Sequence, residues 1–514
     1  MKIRLTLFLF IAMNSLLLTS CSKNKVEDAT TVTSKKIDSL LSHLHEEGQF
    51  NGAFFLANDS TILAKRVYGY ANIPRKEELK QETMFEIASV SKTLTATLIM
   101  KLVQEGELGL DSKLIDYFPE MPYPDITVEH LLTHTSGIPF YYDTLIKDKL
   151  KEGRTINTDT IYKRYAELKP KQEFDTGQKF SYSNSGYMLL AGIAERATKQ
   201  SFDDLLYKHI FSAAGMGSTR RDVLLSDMEN YAEGHQLSVE QGAYVPLEIH
   251  EDSLSMLHYY FKDSKGPGGI YATMDDLWRF SQAIRNNAIL NEEYTDLMFT
   301  PGTLLDGSAT KYGKGWQLSS TDGSRYVHHR GGSEGFNCFF YIAIDEGYSY
   351  FLVSNTKSFY LSEIHKQFRN IITDQPTESI KKSAFERIAL RMNHISDVEL
   401  MQKIDSLRAR ADEYYFALHE FNELAWKYWL DGNFEEGMRV IKLATVAMPD
   451  NAGAFEVLAE AYMEMGQNEL AIKNYNKTID MLNNDSAKKD KDWVKEWITD
   501  MRKIIQDIDE NSND

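Results

Sequence analysis

Residues 85–92 of the chain read Phe85-Glu86-Ile87-Ala88-Ser89-Val90-Ser91-Lys92. The approach to Ser89 is strand-like or merely apolar, and the run from Met84 to Glu105 has the periodicity of an amphipathic helix. A serine in the first helical turn meets the positive end of the helix dipole, and residues three positions apart share a helix face. Lys92 can therefore reach the Ser89 hydroxyl, a weak nucleophile that needs such a neighbour as its base. Taken alone, Ser89 fits a helix cap equally well.

Two further segments carry residues that would complete such a site. Phe180 to Tyr187 contain a Tyr-x-Asn, and Tyr182 and Asn184 point the same way if the segment is extended. Residues 329–332 read His-Arg-Gly-Gly on a predicted strand, where glycine allows close approach of another backbone or of a substrate. Each pattern is weak by itself, and their order along the chain is what makes the combination informative.

In that order the three motifs resemble the serine β-lactamase-related hydrolases, which include class C β-lactamases, D-alanyl-D-alanine carboxypeptidases and esterase relatives. The resemblance spans roughly residues 37–373. It includes flanking stretches that catalysis does not explain, namely Leu131-Leu132-Thr133-His134-Thr135-Ser136-Gly137, Gly268-Gly269-Ile270-Tyr271-Ala272-Thr273 and Tyr312-Gly313-Lys314-Gly315-Trp316.

The resemblance implies a role for each residue of the motifs. Ser89 would be the acylated nucleophile, Lys92 its proton acceptor or electrostatic partner, and Tyr182 a second proton shuttle. A phenol of reference pKa ~10 serves as a base only if nearby cations favour its anion. The residues that would bind the substrate and its oxyanion are Asn184, His329, Gly331 and Gly332. The backbone N–H groups of Ser89 and Gly332 would donate to the oxyanion, and Asn184 would bond to Lys92 or to the substrate amide.

Arg330 departs from the family pattern, in which the middle of the third motif is commonly small or hydroxylated. Two positions of Arg330 are open. Strand alternation would turn its side chain away from the face that carries His329 and Gly331. If the side chain instead reaches the pocket, its guanidinium would pair with a substrate carboxylate. His130 and His134 are four apart, but the segment between them lacks the glutamate of the metalloprotease pattern, so the stretch reads as structural. We expect no metal and no cofactor.

The first 36 residues predict an exported protein. Residues 1–21 combine a basic start, an apolar run and Leu-Thr-Ser-Cys, which resembles a bacterial lipobox and implies lipidation of Cys21; an ordinary secretory signal is the alternative. Acyl chains on that cysteine would hold the protein on a membrane of the cell envelope. Residues 22–36 read as a flexible tether. The net charge of −18 disfavours nucleic acid as a partner.

Beyond residue 373 the chain is rich in helix formers and contains an internal repeat. Seven residues recur after 34 positions: Leu424, Ala425, Tyr428, Gly432, Gly437, Ile441 and Ala444 are matched by Leu458, Ala459, Tyr462, Gly466, Ala471, Tyr475 and Thr478. The period resembles that of the tetratricopeptide repeat, a helix-turn-helix unit. A plain helical hairpin is the alternative. Such repeats usually bind peptides, so a protein partner is expected here.

Together these patterns predict an α+β fold followed by an all-α region. Residues 37–373 would form a β-lactamase/transpeptidase-like antiparallel sheet flanked by helices, with a helical subdomain, and residues 374–514 a tetratricopeptide-like domain. The predicted strands include Gly52–Ala57, Ile62–Tyr70, Tyr326–Arg330, Phe336–Ile344 and Tyr348–Ser354. Two functions remain open: an extracytoplasmic serine hydrolase acting on a D-amino-acid peptide, a β-lactam or a small ester or amide, and a lipid-anchored scaffold whose hydrolase-like domain senses ligand or is inactive.

Overall fold

The structure is a computed structural model that describes residues 29–59, 61–141, 158–221, 228–247, 265–321, 323–333, 335–356 and 360–511. Its strands are β1 (Gly52–Asn58), β2 (Ile62–Tyr68), β3 (Tyr70–Asn72), β4 (Glu77–Glu78), β5 (Phe85–Glu86), β6 (Arg220–Arg221), β7 (His235–Ser238), β8 (Ala243–Pro246), β9 (Ile270–Ala272), β10 (Gln317–Thr321), β11 (Ser324–Ser333), β12 (Phe336–Ala343), β13 (Tyr348–Ser354), β14 (Lys382–Ser383) and β15 (Tyr414–Tyr415).

The helices up to residue 372 are α1 (Ala29–Glu46), α2 (Ser91–Gln104), α3 (Leu114–Tyr117), α4 (Val128–Leu132), α5 (Thr158–Leu168), α6 (Asn184–Thr198), α7 (Phe202–Leu206), α8 (Ser212–Ala214), α9 (Met274–Arg285), α10 (Glu292–Met298) and α11 (Leu361–Ile372). Those beyond are α12 (Ala384–Ala389), α13 (Asp397–Arg408), α14 (Leu418–Leu430), α15 (Phe434–Ala447), α16 (Ala452–Glu464), α17 (Asn468–Asn484) and α18 (Asp492–Asn511). None of these helices is both long and apolar enough to cross a membrane.

A six-stranded antiparallel sheet in the order β10-β11-β12-β13-β1-β2 is the centre of the first region. Successive side chains of a strand point to opposite faces, so Phe54 joins the cluster under α1 and α11 while Phe55 joins the larger cluster that contains α2 and α6. Because helices cover both faces, all eight residues of β12 are buried. This architecture confirms the predicted antiparallel sheet flanked by helices.

Three boundaries differ from those predicted. Helix α1 begins at Ala29, so residues 29–36, expected as tether, are helical. The strand expected over Ile62–Tyr70 ends at Tyr68, and the chain forms β3 from Tyr70 after a left-handed Gly69. The helix expected from Met84 is preceded by β5 and a 3-10 turn at Ala88–Val90. Pairing of Phe85 with Ala272 of β9 holds this approach extended.

The C-terminal region is helical, and its two hairpins place the repeated residues at equivalent positions. Gly432 and Gly466 follow α14 and α16, each with positive φ, and the N–H of the next residue bonds back to Tyr428 O and Tyr462 O at 2.8 Å in both. A Cβ on Gly437 would lie 2.9 Å from the Trp429 ring, so a residue without a Cβ lets the two helices of the hairpin pack at this distance. The hairpins therefore share one geometry, whereas a tetratricopeptide identity stays a prediction.

The two regions share buried contacts. The carboxylate of Glu386, in α12, accepts hydrogen bonds from the hydroxyls of Tyr244 (2.8 Å) and Tyr360. Val239, just after β7, belongs to the same apolar cluster as Phe385. The helical region is thus packed against the sheet-containing region through both polar and apolar side chains.

Candidate active site

Ser89 lies in the 3-10 turn that joins β5 to α2, and it is half-buried. Its neighbour Ala88 has φ +44°, a left-handed conformation that L side chains rarely adopt. Such strain persists only where surrounding contacts enforce it. The hydrogen bond from Ile87 N–H to Ile270 O, at 3.0 Å, supplies one of these contacts. The turn therefore presents the Ser89 side chain at the start of a buried helix.

Lys92 reaches Ser89 as its spacing predicts. The Lys92 Nζ lies 3.0 Å from Ser89 Oγ and donates to Pro267 O at 2.9 Å, and neither partner carries negative charge. The side chain is fully buried, and this desolvation holds the pKa of Lys92 well below its ordinary value. An amine without its extra proton has a lone pair that can accept the Ser89 proton, and the lowered pKa favours this form.

Tyr182 also contacts this pair. Its hydroxyl lies near the Ser89 side chain, and Lys92 Nζ lies 5.0 Å from the centre of its ring. Desolvation raises the pKa of Tyr182 above its usual value, and the interaction with Ser89 offsets only part of this rise. The condition for a phenol to act as a base, a nearby cation that favours its anion, is not met in the free protein, because burial lowers the pKa of Lys92 as well. Tyr182 holds its proton.

Asn184 is placed differently from the prediction. It is the first residue of α6, whose N-cap Ser183 accepts from Gly186 N–H, so the Tyr-x-Asn runs from an extended segment into a helix. Lys92 makes its described hydrogen bonds elsewhere, and Asn184 Oδ1 is buried without a partner among the described residues. This amide oxygen thus has an unused hydrogen-bonding capacity next to Tyr182.

The third motif lies on β11, beside the turn that carries Ser89. Cys338 Sγ donates to Ile87 O at 3.3 Å, and Ser333 Oγ donates to Glu86 Oε2 at 3.2 Å. A Cβ on Gly331 would lie 2.5 Å from Ile87 O, so the strand approaches the turn this closely only because residue 331 is glycine. These contacts bring Gly331 and the exposed Gly332 to the Ser89 turn.

His329 and Arg330 point to opposite faces of the sheet. His329 is 1% exposed, donates from Nδ1 to Arg330 O (2.8 Å) and accepts the Tyr312 hydroxyl at Nε2 (2.9 Å). Burial, followed by the charge of Lys92, lowers its pKa to about 3, so it is neutral and lies behind Tyr182 instead of lining the pocket. Arg330 packs over the Phe339 ring, which faces α11, and so carries no charge into the site.

Sequence reasoning missed His134. It was set aside with His130 as a structural residue or half of a zinc pair, yet the two histidines have different partners. His130 Nδ1 lies 2.9 Å from Thr127 Oγ1, whereas the His134 ring packs 4.4 Å from the Tyr182 ring. A signal was available, because residues 131–137 belong to the family resemblance although no catalytic role explains them. Across the described ranges, no group of three or more His, Cys, Asp or Glu side chains could hold a metal ion.

A cavity of about 250 Å³ opens next to Tyr182 and Asn184. Its apolar wall includes Ile138, Phe140 and Phe174, and its polar groups include the exposed carboxylate of Glu173. An apolar cleft with a few polar groups beside a nucleophile is the usual form of a substrate subsite.

Comparison with known proteins identifies relatives of the first region. A family model described as Beta-lactamase matches residues 37–367. Penicillin-binding protein 4* of Bacillus subtilis (strain 168) is 32% identical over 357 residues, which are 68% of this chain and 78% of the relative. The D-aminopeptidase of Brucella canis is 28% identical over 308 residues, 59% of this chain and 56% of the relative.

A solved structure shows the same fold. The D-amino acid amidase of Ochrobactrum anthropi SV3, in complex with D-phenylalanine, superimposes with a TM-score of 0.54 at 22% identity, covering 66% of this chain and 99% of the amidase. The predicted β-lactamase/transpeptidase-like fold is thus confirmed for the sheet-containing region. Cys21, predicted as the lipidated residue, lies outside the described residues.

Proposed function

Because the chain belongs to the β-lactamase family of serine hydrolases, we propose that it is an extracytoplasmic enzyme that works through an acyl-Ser89 intermediate. The observation that carries the proposal is the 3.0 Å contact between Ser89 Oγ and the buried amine of Lys92. Nucleophilic catalysis by serine requires a hydroxyl within hydrogen-bonding reach of an uncharged base. Lys92 meets both conditions.

In the proposed acylation Lys92 takes the Ser89 proton as Oγ attacks the substrate carbonyl. The developing oxyanion is held by the backbone N–H groups of Ser89 and Gly332, and losing one such donor typically costs ~3 kcal/mol. Tyr182 gives its proton to the leaving group as the bond to it breaks, and the phenolate is reprotonated by Lys92, which took the Ser89 proton. The raised pKa of Tyr182 suits this role, since the phenol remains a proton donor.

Among the substrate classes left open by the sequence, the site favours an amide or ester of a D-amino acid with a free amino group. The cavity beside Tyr182 offers an ammonium group two acceptors, the Glu173 carboxylate and Asn184 Oδ1. Neutral His329 and outward-facing Arg330 supply no cation for a substrate carboxylate. The relative called a D-aminopeptidase supports the same choice.

Covalent labelling tests the nucleophile. The protein lacking residues 1–21 is treated with a fluorophosphonate and with a labelled penicillin, and the adduct is located by intact mass and peptide mapping. We expect one adduct that disappears in Ser89→Ala and persists in Ser91→Ala, a matched serine two positions away. Absence of an adduct with every acylating probe would contradict the enzyme assignment. Nitrocefin, D-Ala-D-Ala peptides, D-alanine amide and p-nitrophenyl esters then separate the substrate classes.

A second function concerns the helical region. We propose that its two matched hairpins recruit a protein partner, and the Trp426 side chain of the first hairpin, which is 61% exposed, offers a large apolar contact surface. In this alternative the hydrolase domain senses ligand or is inactive. Crosslinking at position 426 in intact cells should capture a partner while Ser89→Ala leaves the crosslink unchanged.

The location is a proposal of its own. Lipidation of Cys21 would keep the protein on the cell envelope, with the globular region outside the cytoplasm. Metabolic labelling with an alkynyl fatty acid should mark the wild-type protein, and Cys21→Ser should release an unlabelled protein from the membrane fraction. Unchanged labelling of the variant would contradict the lipobox assignment.

A further inference from the structure

His134 bonds to the backbone on both sides of Tyr182. Its carbonyl oxygen accepts from Ser181 N–H at 2.9 Å, and its ring atom Nδ1 accepts from Ser183 N–H at 3.0 Å. The two bonds come from one residue and bracket a single position of the chain. The backbone that carries Tyr182 therefore cannot shift without breaking a contact to His134.

The hydrogen bond from Ser183 determines the protonation of the ring. A backbone amide can only donate, so Nδ1 of His134 must carry its lone pair and the ring proton lies on Nε2. Nε2 is buried, without a partner among the described residues. Burial, the largest cause, keeps the pKa of His134 well below its usual value. A neutral ring retains the acceptor.

The ring of His134 is enclosed by aromatic side chains. Its centroid lies 4.4 Å from that of Tyr182, 4.7 Å from Tyr312, 5.0 Å from Tyr187 and 5.8 Å from Phe180, and the residue is 1% exposed. Tyr182 by contrast is 41% exposed, so solvent borders part of its ring. The buried imidazole supplies a fixed surface on the other side.

We propose that His134 is the positioning residue of Tyr182, holding the phenol in place for proton transfer through two backbone hydrogen bonds and a ring contact. The inference rests on the proposed function, in which Tyr182 protonates the leaving group. The Tyr182 O–H bond breaks as the carbon–oxygen or carbon–nitrogen bond of the tetrahedral intermediate breaks, and the proton ends on the departing atom. His134 takes no part in the bond changes.

The backbone at residue 134 limits which side chains fulfil this role. Its φ of +58° is left-handed, a conformation that Asn, Asp and His tolerate better than other residues with a Cβ. Asparagine also places its Oδ1 where Nδ1 of histidine lies, two bonds from Cβ. His134→Asn therefore keeps the acceptor and the backbone, whereas His134→Phe keeps the ring and loses the acceptor.

These two variants form the test, with His365→Phe as the control. His365 is a second histidine whose Nδ1 bonds a tyrosine, Tyr350, at 2.8 Å, and it lies on α11 at the opposite face of the sheet. The control makes the same chemical change away from Tyr182. Thermal unfolding of all four proteins, including wild type, reports any general loss of stability.

Two esters of one acyl group separate positioning of Tyr182 from general damage. p-Nitrophenyl butyrate releases a phenolate that needs no proton, whereas ethyl butyrate releases an alkoxide that does. We expect His134→Phe to lower kcat for ethyl butyrate ~100-fold and for the nitrophenyl ester less than ~5-fold. His134→Asn and His365→Phe should stay within ~5-fold of wild type on both esters.

A readout without turnover keeps the inference separate from the proposed function. With 3-fluorotyrosine at position 182, the fluorine resonance should be dispersed in wild type, in His134→Asn and in His365→Phe, and move to the solvent-averaged position in His134→Phe. Because this measurement needs no turnover, it tests whether His134 positions Tyr182 even if Ser89 proves unreactive. An unchanged fluorine resonance in His134→Phe, or equal losses of kcat on both esters, would overturn the inference.

Discussion

At the scale of single residues, the site depends on two opposite pKa shifts with one cause. Desolvation disfavours the charged form of any group, so it makes the amine of Lys92 a better base and leaves the phenol of Tyr182 protonated. Each group is thereby prepared for one direction of proton transfer. Lys92 is fully buried, and neither of its hydrogen-bond partners is a carboxylate that would favour the charged amine.

Replacing Lys92 by arginine tests this division. A guanidinium stays charged across the working range and cannot accept the Ser89 proton, so Lys92→Arg should lower kcat/KM by ~10²–10⁴-fold. In wild type, kcat/KM should rise with pH through a pKa well below 10.5, because the base must be neutral. Lys101→Arg, in the last turn of the same helix and paired with Glu105, should leave the profile unchanged. A fully active Lys92→Arg would contradict the role of base.

Gly331 provides a second test at this scale. An added Cβ would lie 2.4 Å from Cys338 Sγ and 2.5 Å from Ile87 O, so Gly331→Ala must push β11 away from the Ser89 turn. We expect a loss of ~1–3 kcal/mol in the free energy of unfolding, and slower labelling of Ser89. Gly217→Ala, where nothing lies within 4 Å of the new Cβ, is the matched control. Labelling at the wild-type rate would show that the strand does not support the turn.

At the scale of elements, the junction of α12, α14 and β15 contains a buried carboxyl group that titrates near neutrality. Burial raises the pKa of Glu420 from 4.5 to about 7, although hydrogen bonds from Tyr415 and Ser383 partly counter the shift. The folded protein therefore holds this proton more tightly than the unfolded chain. Stability at the junction is greatest in acid and falls as the pH rises.

The consequence is a measurable pH dependence. Between about pH 4.5 and 7 the folded state binds more protons at Glu420, so the free energy of unfolding should fall by up to about 3 kcal/mol across this window and then level off. Glu420→Gln should remove this component and stabilise the protein above pH 7. Urea unfolding at several pH values measures it, with exposed Glu435→Gln as control. A Glu420→Gln curve parallel to wild type would refute the assignment.

At the scale of the whole molecule, the residues that we propose as catalytic all lie in the first region. Ser89, Lys92 and Tyr182 contact no residue beyond 373 in the described contacts, while Glu386 bonds Tyr244 and Tyr360 of the first region. Loss of the helical region should therefore lower the stability of the protein more than its rate of ester hydrolysis.

A chain ending at Thr373 tests this separation. Hydrolysis of a small ester should be largely intact, with a lower unfolding temperature because the apolar surface around Val239 and Leu237 becomes exposed. The full-length double variant Tyr244→Phe/Tyr360→Phe, which removes the hydroxyls bonded to Glu386, serves as the comparison. An insoluble truncated protein, together with an unstable double variant, would show that the helices belong to the catalytic core.

The sheet and the family were predictable because their signals are local. Alternating apolar residues and glycine-rich turns predicted β1 and β11 to β13, and the Ser-x-x-Lys spacing on a helix start placed Lys92 beside Ser89. Boundaries were less predictable. Phe85 and Glu86 became β5 only through pairing with β9, whose residues lie far along the chain, and no periodicity near residue 85 contains that information.

By itself the sequence determined which reactive groups the chain carries and in what order, since hydroxyl, amine and phenol are properties of residue types. Tertiary structure decided their state: the burial that lowers the pKa of Lys92 and of His329, the sheet face that takes Arg330 out of the pocket, and the backbone contacts that join His134 to Tyr182. The physical reason is that solvation and hydrogen bonding sum over neighbours in space, and those neighbours come from segments that the linear order keeps apart.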